Sequence, residues 1–152
     1  MDDIDQIDRR ILGQLQRDSN QPLEILAEKV GLSRNAIWRR IKALENSGVI
    51  RRRVAILDPE KLGIGLSVFI LIRTDQHDPD WLAAFAKATA DMPEIQSAFR
   101  MTGDLDYLVR ARVKNVADYD RLYQQLIRRV EMSDVSASFV MEEIKDTTEL
   151  PL

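Results

Sequence analysis

The residues best suited to chemistry in this chain are cations, and they are crowded. The stretch SRNAIWRRIKAL, Ser33 to Leu44, holds Arg34, Arg39, Arg40 and Lys42. From Lys29 to Arg53 there are eight Lys or Arg and one carboxylate, Glu45, although the whole chain has a formal net charge of -3. A local patch of that density attracts polyanions whatever the global charge. The ordinary reading of a charge run is a solvated helix face. That reading is weakened here because almost no anions are interleaved to neutralise the patch.

The residue sets needed for catalysis are thin. The one histidine, His77, lies in the polar stretch DQHDP and reads as a solvent-exposed loop residue. No Ser/His/Asp constellation, glycine-rich phosphate loop or metal-ligand spacing is present. With no cysteine, neither a disulfide framework nor a thiolate metal site is available. Tyr107 with Asp104 and Asp106 is the one local acid–base candidate, and nothing suggests a substrate for it. No catalytic residue, metal or cofactor is assigned, and the sequence points away from an enzyme.

The 152 residues fit one ordinary domain or two small ones, and 45% hydrophobic with 31% charged residues is a globular profile. The N-terminus, MDDIDQIDRR, is acidic without an apolar core and does not read as a signal peptide. The longest apolar run, 64–72, is too short to span a bilayer. The expected location is the cytoplasm, with no membrane partner. Charge is uneven: residues 1–57 hold 11 cations against 8 anions, and residues 58–152 hold 11 against 17.

The elements that must position the basic patch are three helices. Ile4, Ile7, Ile11, Leu12 and Leu15 recur at helical spacing, which predicts a helix over 5–17. Leu23, Leu26, Ala27 and Val30 predict a short second helix with Pro22 in its first turn and Gly31 ending it. Ser33 is a good N-cap for a third helix, whose buried stripe is Ile37, Ile41 and Leu44 and which ends at Ser47-Gly48. A short helix, a Gly-x-Ser turn and a second amphipathic helix make a helix-turn-helix signature. Residues 49–57 read as a strand, a small wing. Residues 58–63 form a turn-rich connector, dividing the chain into 1–60 and 61–152.

The buried stripe turns Arg34, Asn35, Trp38, Arg39 and Lys42 outward. Such a helix can enter the major groove of double-stranded DNA. There Arg reads guanine and Asn reads adenine. Arg and Lys also hold phosphates irrespective of sequence. Two readings of Trp38 stand: contact with sugar or a thymine methyl, or packing against the wing. Arg51 and Arg53 share one face of the expected strand, with Arg52 on the other. The expected DNA-binding set is Ser33, Arg34, Asn35, Trp38, Arg39, Lys42, Arg51 and Arg53.

The rest alternates differently. Strands are expected over 66–74, 95–101, 107–113 and 135–144. Helices are expected over 81–91, capped by Asp80 with Leu82, Phe85, Ala86 and Thr89 on one face, and over 116–130. The order βαββαβ is that of a ferredoxin-like sandwich, so the fold class is α+β. Both helices cover one face of such a sheet. Phe69 and Leu71 make the other face of the first strand apolar too, which calls for a cover. A second copy is the favoured one, and the N-terminal domain or C-terminal tail is the alternative.

At this point the residues resemble a known family. IDRRILGQLQRD, LAEKVGLS, IWRRIKALENSGVI and AILDPEKLG look like the winged helix-turn-helix half of the Lrp/AsnC feast/famine regulators. MTGDLDYLVR and SDVSASFVMEEIK resemble its ACT-like ligand-sensing domain. The resemblance implies homodimers joined through the sheets, often assembled into octamers, and an amino acid or related metabolite as effector. The ending MEEIKDTTELPL resembles members that respond to apolar or sulfur-containing amino acids. It also implies an effector pocket between subunits at the turn Thr102, Gly103, Asp104, Leu105, Asp106 and Tyr107. Asp104 or Asp106 would pair with the ammonium, and N–H groups near Gly103 would receive the carboxylate. Ser136 and Ser138 would supply hydroxyls from a neighbouring subunit. The plain alternative, hairpin chemistry at Gly103-Asp104, is compatible with a pocket rim. Some haem-pathway decarboxylases are similar to this two-domain architecture, but they rely on histidines and arginines in a large pocket, and this chain has one histidine. An architectural DNA-binding protein without an effector is a third reading.

Overall fold

The computed structural model describes residues 4–152; the first three residues of the acidic N-terminus lie outside the described residues. Contacts divide the chain into two units, 1–56 with 145–152, and 57–144.

The first unit holds α1 (Gln6–Leu15), α2 (Leu23–Val30) and α3 (Arg34–Asn46). Asp5 caps α1 in a reciprocal box with Asp8, which satisfies two backbone N–H groups that the first turn leaves open. Gly31 ends α2 in the left-handed conformation (φ 79°), where a Cβ would be strained. The Ser33 side chain then accepts from Ala36 N–H to start α3. Pro22 stands at the N-cap of α2, one position earlier than the sequence suggested. Ile37, Ile41 and Leu44 pack with Ile11, Leu26, Ala27 and Val30 as the core of this unit.

The expected strand over 49–57 is not formed; these residues have no regular structure. The first unit forms no strand among its described residues, and a lone strand gains no ladder to offset its ordering. Val54 and Ile56 are consequently 62% and 76% exposed. The tail adds a contact that hydrophobic periodicity could not signal. The Gln16 side-chain amide exchanges two hydrogen bonds with the backbone of Leu150, at 3.0 and 2.9 Å, and Arg17 pairs with Glu149.

The second unit holds β1 (Leu66–Arg73), α4 (Pro79–Ala90), β2 (Ile95–Arg100), β3 (Tyr107–Val113), α5 (Val116–Arg129) and β4 (Asp134–Phe139). The strands form one antiparallel sheet in the order β2-β3-β1-β4. That is the ferredoxin-like arrangement. Val68, Ile70 and Ile72 of β1 face α4 and α5.

Most boundaries fall within a residue or two of the expectation; the larger departures are the end of β4 and the cap and buried face of α4. β4 stops at Phe139 because its partner runs out: Phe139 pairs with Val68, Val140 N–H still reaches Ser67 C=O, and β1 begins at Leu66. Beyond it Met141 is fully exposed. The cap of α4 is Asp78, not Asp80: its carboxylate accepts from Asp80 and Trp81 N–H while Pro79 fills the first turn. The buried face of α4 is Trp81, Phe85 and Ala88, continued by Met92, and Leu82 is left exposed. The indole decides this phase. It stacks on Phe85 and donates from Nε1 to Glu131 C=O at 2.6 Å.

Arg40, counted in the basic patch from sequence, belongs to the scaffold. Its Nη1 lies 2.8 Å from both Asp5 Oδ2 and Asp8 Oδ1, tying α3 to the capping box of α1. The Asp8 N–H first, and then Arg40, hold the Asp5 carboxyl below its ordinary range. A depressed carboxyl contributes stability above its unfolded pKa and loses it as pH falls through the folded value. Arg40→Met should lower stability near neutral pH. Urea midpoints should show the gap to wild type closing below about pH 4. A gap independent of pH would show that Arg40 acts by packing alone.

Candidate nucleic-acid interface and effector turn

The packing of α3 leaves Arg34, Asn35, Trp38, Arg39 and Lys42 exposed on one side. Trp38 is 52% exposed, so the indole is not sequestered against residues 49–57. The cations differ in what they already hold. Arg34 pairs with Glu24 at 2.9 Å, with both side chains more than half exposed. Lys42 and Arg53 converge on Glu45, at 2.7 and 3.1 Å. Arg53 also donates to Ser19 C=O. Among the described residues Arg39 makes no ion pair or side-chain hydrogen bond. Arg51 is exposed. Ser33 accepts from the first turn, which leaves its hydroxyl hydrogen available. The structure thus brings six of the eight expected residues, Ser33 to Lys42, onto one helix and its cap. It ties Arg53 to that helix through Glu45, a residue visible from sequence only as the lone anion of the window.

In the second unit the turn between β2 and β3 is braced from β1. Gly103 takes φ 103°, a conformation open to glycine. Arg73 Nε donates to Asp104 C=O at 2.8 Å, and its Nη1 lies 2.6 Å from Asp134 Oδ2. Asp106 is occupied: Oδ2 accepts from Thr74 N–H at 2.9 Å, and its own N–H donates to Ile72 C=O. Thr102, Gly103 and Asp104 are exposed, and the Asp104 carboxylate makes no hydrogen bond or ion pair among the described residues.

Tyr107 is turned away from this rim. It is 5% exposed, with ring centroids 4.6 Å from Phe85 and 5.3 Å from Trp81. It anchors the turn in the core and presents no phenol to the sheet's open face. Ser136 and Ser138 pair with Leu71 and Phe69 on the far edge strand. Within one chain they are therefore separated from the turn, which joins the opposite edge. Arg73 is the brace that the sequence reading did not single out. A cation ending a strand directly before a turn residue is its faint signal. His77 is exposed and joins no cluster. Among the described residues no group of acidic or histidine side chains could hold a metal ion.

Two family models match the chain: a winged helix-turn-helix DNA-binding domain over residues 4–51, and the Lrp/AsnC ligand binding domain over residues 67–150. Together they define a DNA-binding transcriptional regulator with a ligand-binding domain. The chain is 48% identical over 149 residues to the glutamate uptake regulatory protein of Zymomonas mobilis, covering 98% of this chain and 91% of that one. It is 44% identical over 150 residues to the DNA-binding transcriptional activator DecR of Escherichia coli, covering 98% and 99%. A transcriptional regulator from Neisseria meningitidis, solved with L-methionine, superposes with TM-score 0.93 at 34% identity, covering 98% and 97%. The chain belongs to the Lrp/AsnC family of transcriptional regulators.

Thr74 is 4% exposed, and its N–H loses its acceptor in a largely enclosed position if Asp106 is lost. Asp106→Ala should destabilise the protein by roughly 1–3 kcal/mol, the cost of leaving a buried donor unpaired. Thermal or urea unfolding would show this, and a change within error would mean that water replaces the carboxylate.

Proposed function

We propose that this chain regulates transcription by binding double-stranded DNA through α3, under the control of an amino acid bound at the β2–β3 turn. The observation that carries the reading is the exposed face of Asn35, Trp38 and Arg39 on the second helix of a helix-turn-helix, with Arg39 unpaired among the described residues. Arg39 and Asn35 read base edges. Ser33, Arg34, Lys42, Arg51 and Arg53 hold phosphates.

The effector reading rests on Thr102, Gly103 and Asp104, the exposed part of the turn. Asp104 meets the ammonium, and the backbone near Gly103 meets the carboxylate. Asp106 and Tyr107 hold this rim in shape. Ser136 and Ser138 serve a neighbouring copy, in keeping with their distance from the turn within one chain. The methionine bound by the Neisseria regulator supports an apolar or sulfur-containing amino acid. The name of the Zymomonas relative keeps an acidic one in the test. A homodimer closes the sheet's open face over Phe69 and Leu71, and octamers are the expected higher assembly. Part of the C-terminal segment already reaches that face, where Glu143 pairs with Arg110 and Arg112, and a second copy would complete the cover over Phe69 and Leu71. The protein acts in the cytoplasm, where its DNA is, and performs no catalysis. No helix among the described residues is long and apolar enough to cross a membrane.

The test is fluorescence anisotropy on DNA from upstream of its own gene, at two salt concentrations, with and without the common amino acids. Salt-sensitive binding that an amino acid shifts by about 5- to 150-fold is expected. Salt-sensitive binding that no amino acid changes would leave an architectural protein. Arg39→Ala should weaken binding about tenfold or more, within the roughly 1–3 kcal/mol of a base-reading arginine. Asp104→Ala should abolish the amino-acid response and spare DNA binding. A normal response in that variant would move the pocket elsewhere.

A further inference from the structure

Glu45 is out of place by the ordinary rules of its surroundings. It is the sole carboxylate among eight cations between Lys29 and Arg53. It also sits in the last turn of α3, where the helix dipole disfavours negative charge. A DNA-binding surface gains nothing from an anion facing phosphates. Glu45 is held there by two contacts made with separate oxygens: Oε2 lies 2.7 Å from Lys42 Nζ and Oε1 lies 3.1 Å from Arg53 Nη2. Its side chain is 28% exposed, more enclosed than either cation. Arg53 is fixed at its other nitrogen by Ser19 C=O, 3.2 Å away. The two cations are thus gathered from different parts of the unit onto one carboxylate. That is the geometry a phosphate would take, with two oxygens shared between a lysine and an arginine.

We propose that Glu45 is a built-in competitor for the DNA backbone. It occupies Lys42 and Arg53 as a phosphate would and so limits sequence-independent binding. The inference rests on the DNA-binding reading above and adds a residue that this reading does not contain. Each phosphate that engages these cations must displace a carboxylate held at hydrogen-bond distance. The direct base contacts of Asn35 and Arg39 carry no such charge, because neither residue touches Glu45. The competitor therefore acts on the electrostatic part of binding, which any DNA sequence can supply.

The probe is a mixed-sequence duplex, titrated by anisotropy across a salt series. Glu45→Gln keeps the shape and removes the charge. It should raise affinity about two- to tenfold, the range set by releasing two exposed ion pairs. The slope of log affinity against log salt should steepen by about one. Glu28→Gln, on the exposed side of α2, removes the same charge without freeing Lys42 or Arg53, and should change affinity less than about twofold with no change in slope. Adding Lys42→Gln and Arg53→Gln to Glu45→Gln should erase the gain. Glu45→Ala removes the same charge and carries the test if Glu45→Gln fails to fold; it should show the same gain and the same steeper slope. A Glu45→Gln gain no larger than that of Glu28→Gln, or an unchanged slope, overturns the proposal. Wild-type protein that binds neither this duplex nor its own upstream DNA in a salt-sensitive way would instead overturn the DNA-binding reading beneath it.

Discussion

Ile37, Ile41 and Leu44 hold α3 against Ile11, Leu26 and Val30, and this contact decides which cations meet water. Each such side chain contributes about 1.5–3 kcal/mol on full burial. The exposed ion pairs around the helix are worth about 0–1 kcal/mol each. Packing therefore sets the roll of the helix, and the charges take the positions that packing leaves them. A residue one step off the stripe, such as Arg40, is carried to the rim of the core, where Asp5 and Asp8 receive it. Residues two steps off, such as Arg39, face outward. Four cations that look alike in the sequence thus acquire different tasks from their angle around one helix.

The same logic separates the two carboxylates of the turn. Asp104 and Asp106 are equivalent in composition and nearly so in position. Asp106 lies beside Thr74, whose buried N–H needs an acceptor, and is consumed by that need. Asp104 gives only its carbonyl to Arg73 and keeps its carboxylate for another partner. Making one aspartate part of the scaffold leaves the carboxylate of the other exposed and unspent among the described residues.

How much of this was legible in the sequence follows from the range of the forces involved. Helix caps, apolar stripes and strand alternation are local, so α1 to α3, the βαββαβ order and the inner face of β1 could be read directly. Errors arise where a distant partner decides. The phase of α4 was set by an indole that donates to Glu131, fifty residues away, and not by the periodicity of its own small residues. The length of β4 was set by where β1 begins. Residues 49–57 have strand composition, but the first unit forms no strand among its described residues. The docking of the tail on Gln16 uses backbone atoms, which no side-chain pattern records. At the candidate interface the exposed set was legible because helical phase is local. Its internal pairing through Glu45 was not, because Arg53 approaches from another segment.

The brace on the β2–β3 turn bears on what a ligand could change if it binds there as proposed. A ligand shifts an equilibrium only by the difference in its affinity for the two states. A rim that was wholly rigid would bind and report nothing. Here the deep contacts, Asp106 to Thr74 and Tyr107 to Phe85 and Trp81, are buried and costly to break. The shallow one, Arg73 to Asp134, joins two half-exposed side chains and is worth little. A carboxylate arriving beside Gly103 would find in Arg73 a cation whose present partner is easily exchanged. That exchange would release Asp134 at the start of β4 while the turn keeps its shape. Of the contacts around the turn, the Arg73–Asp134 pair is thus the one that an arriving anion could exchange at least cost.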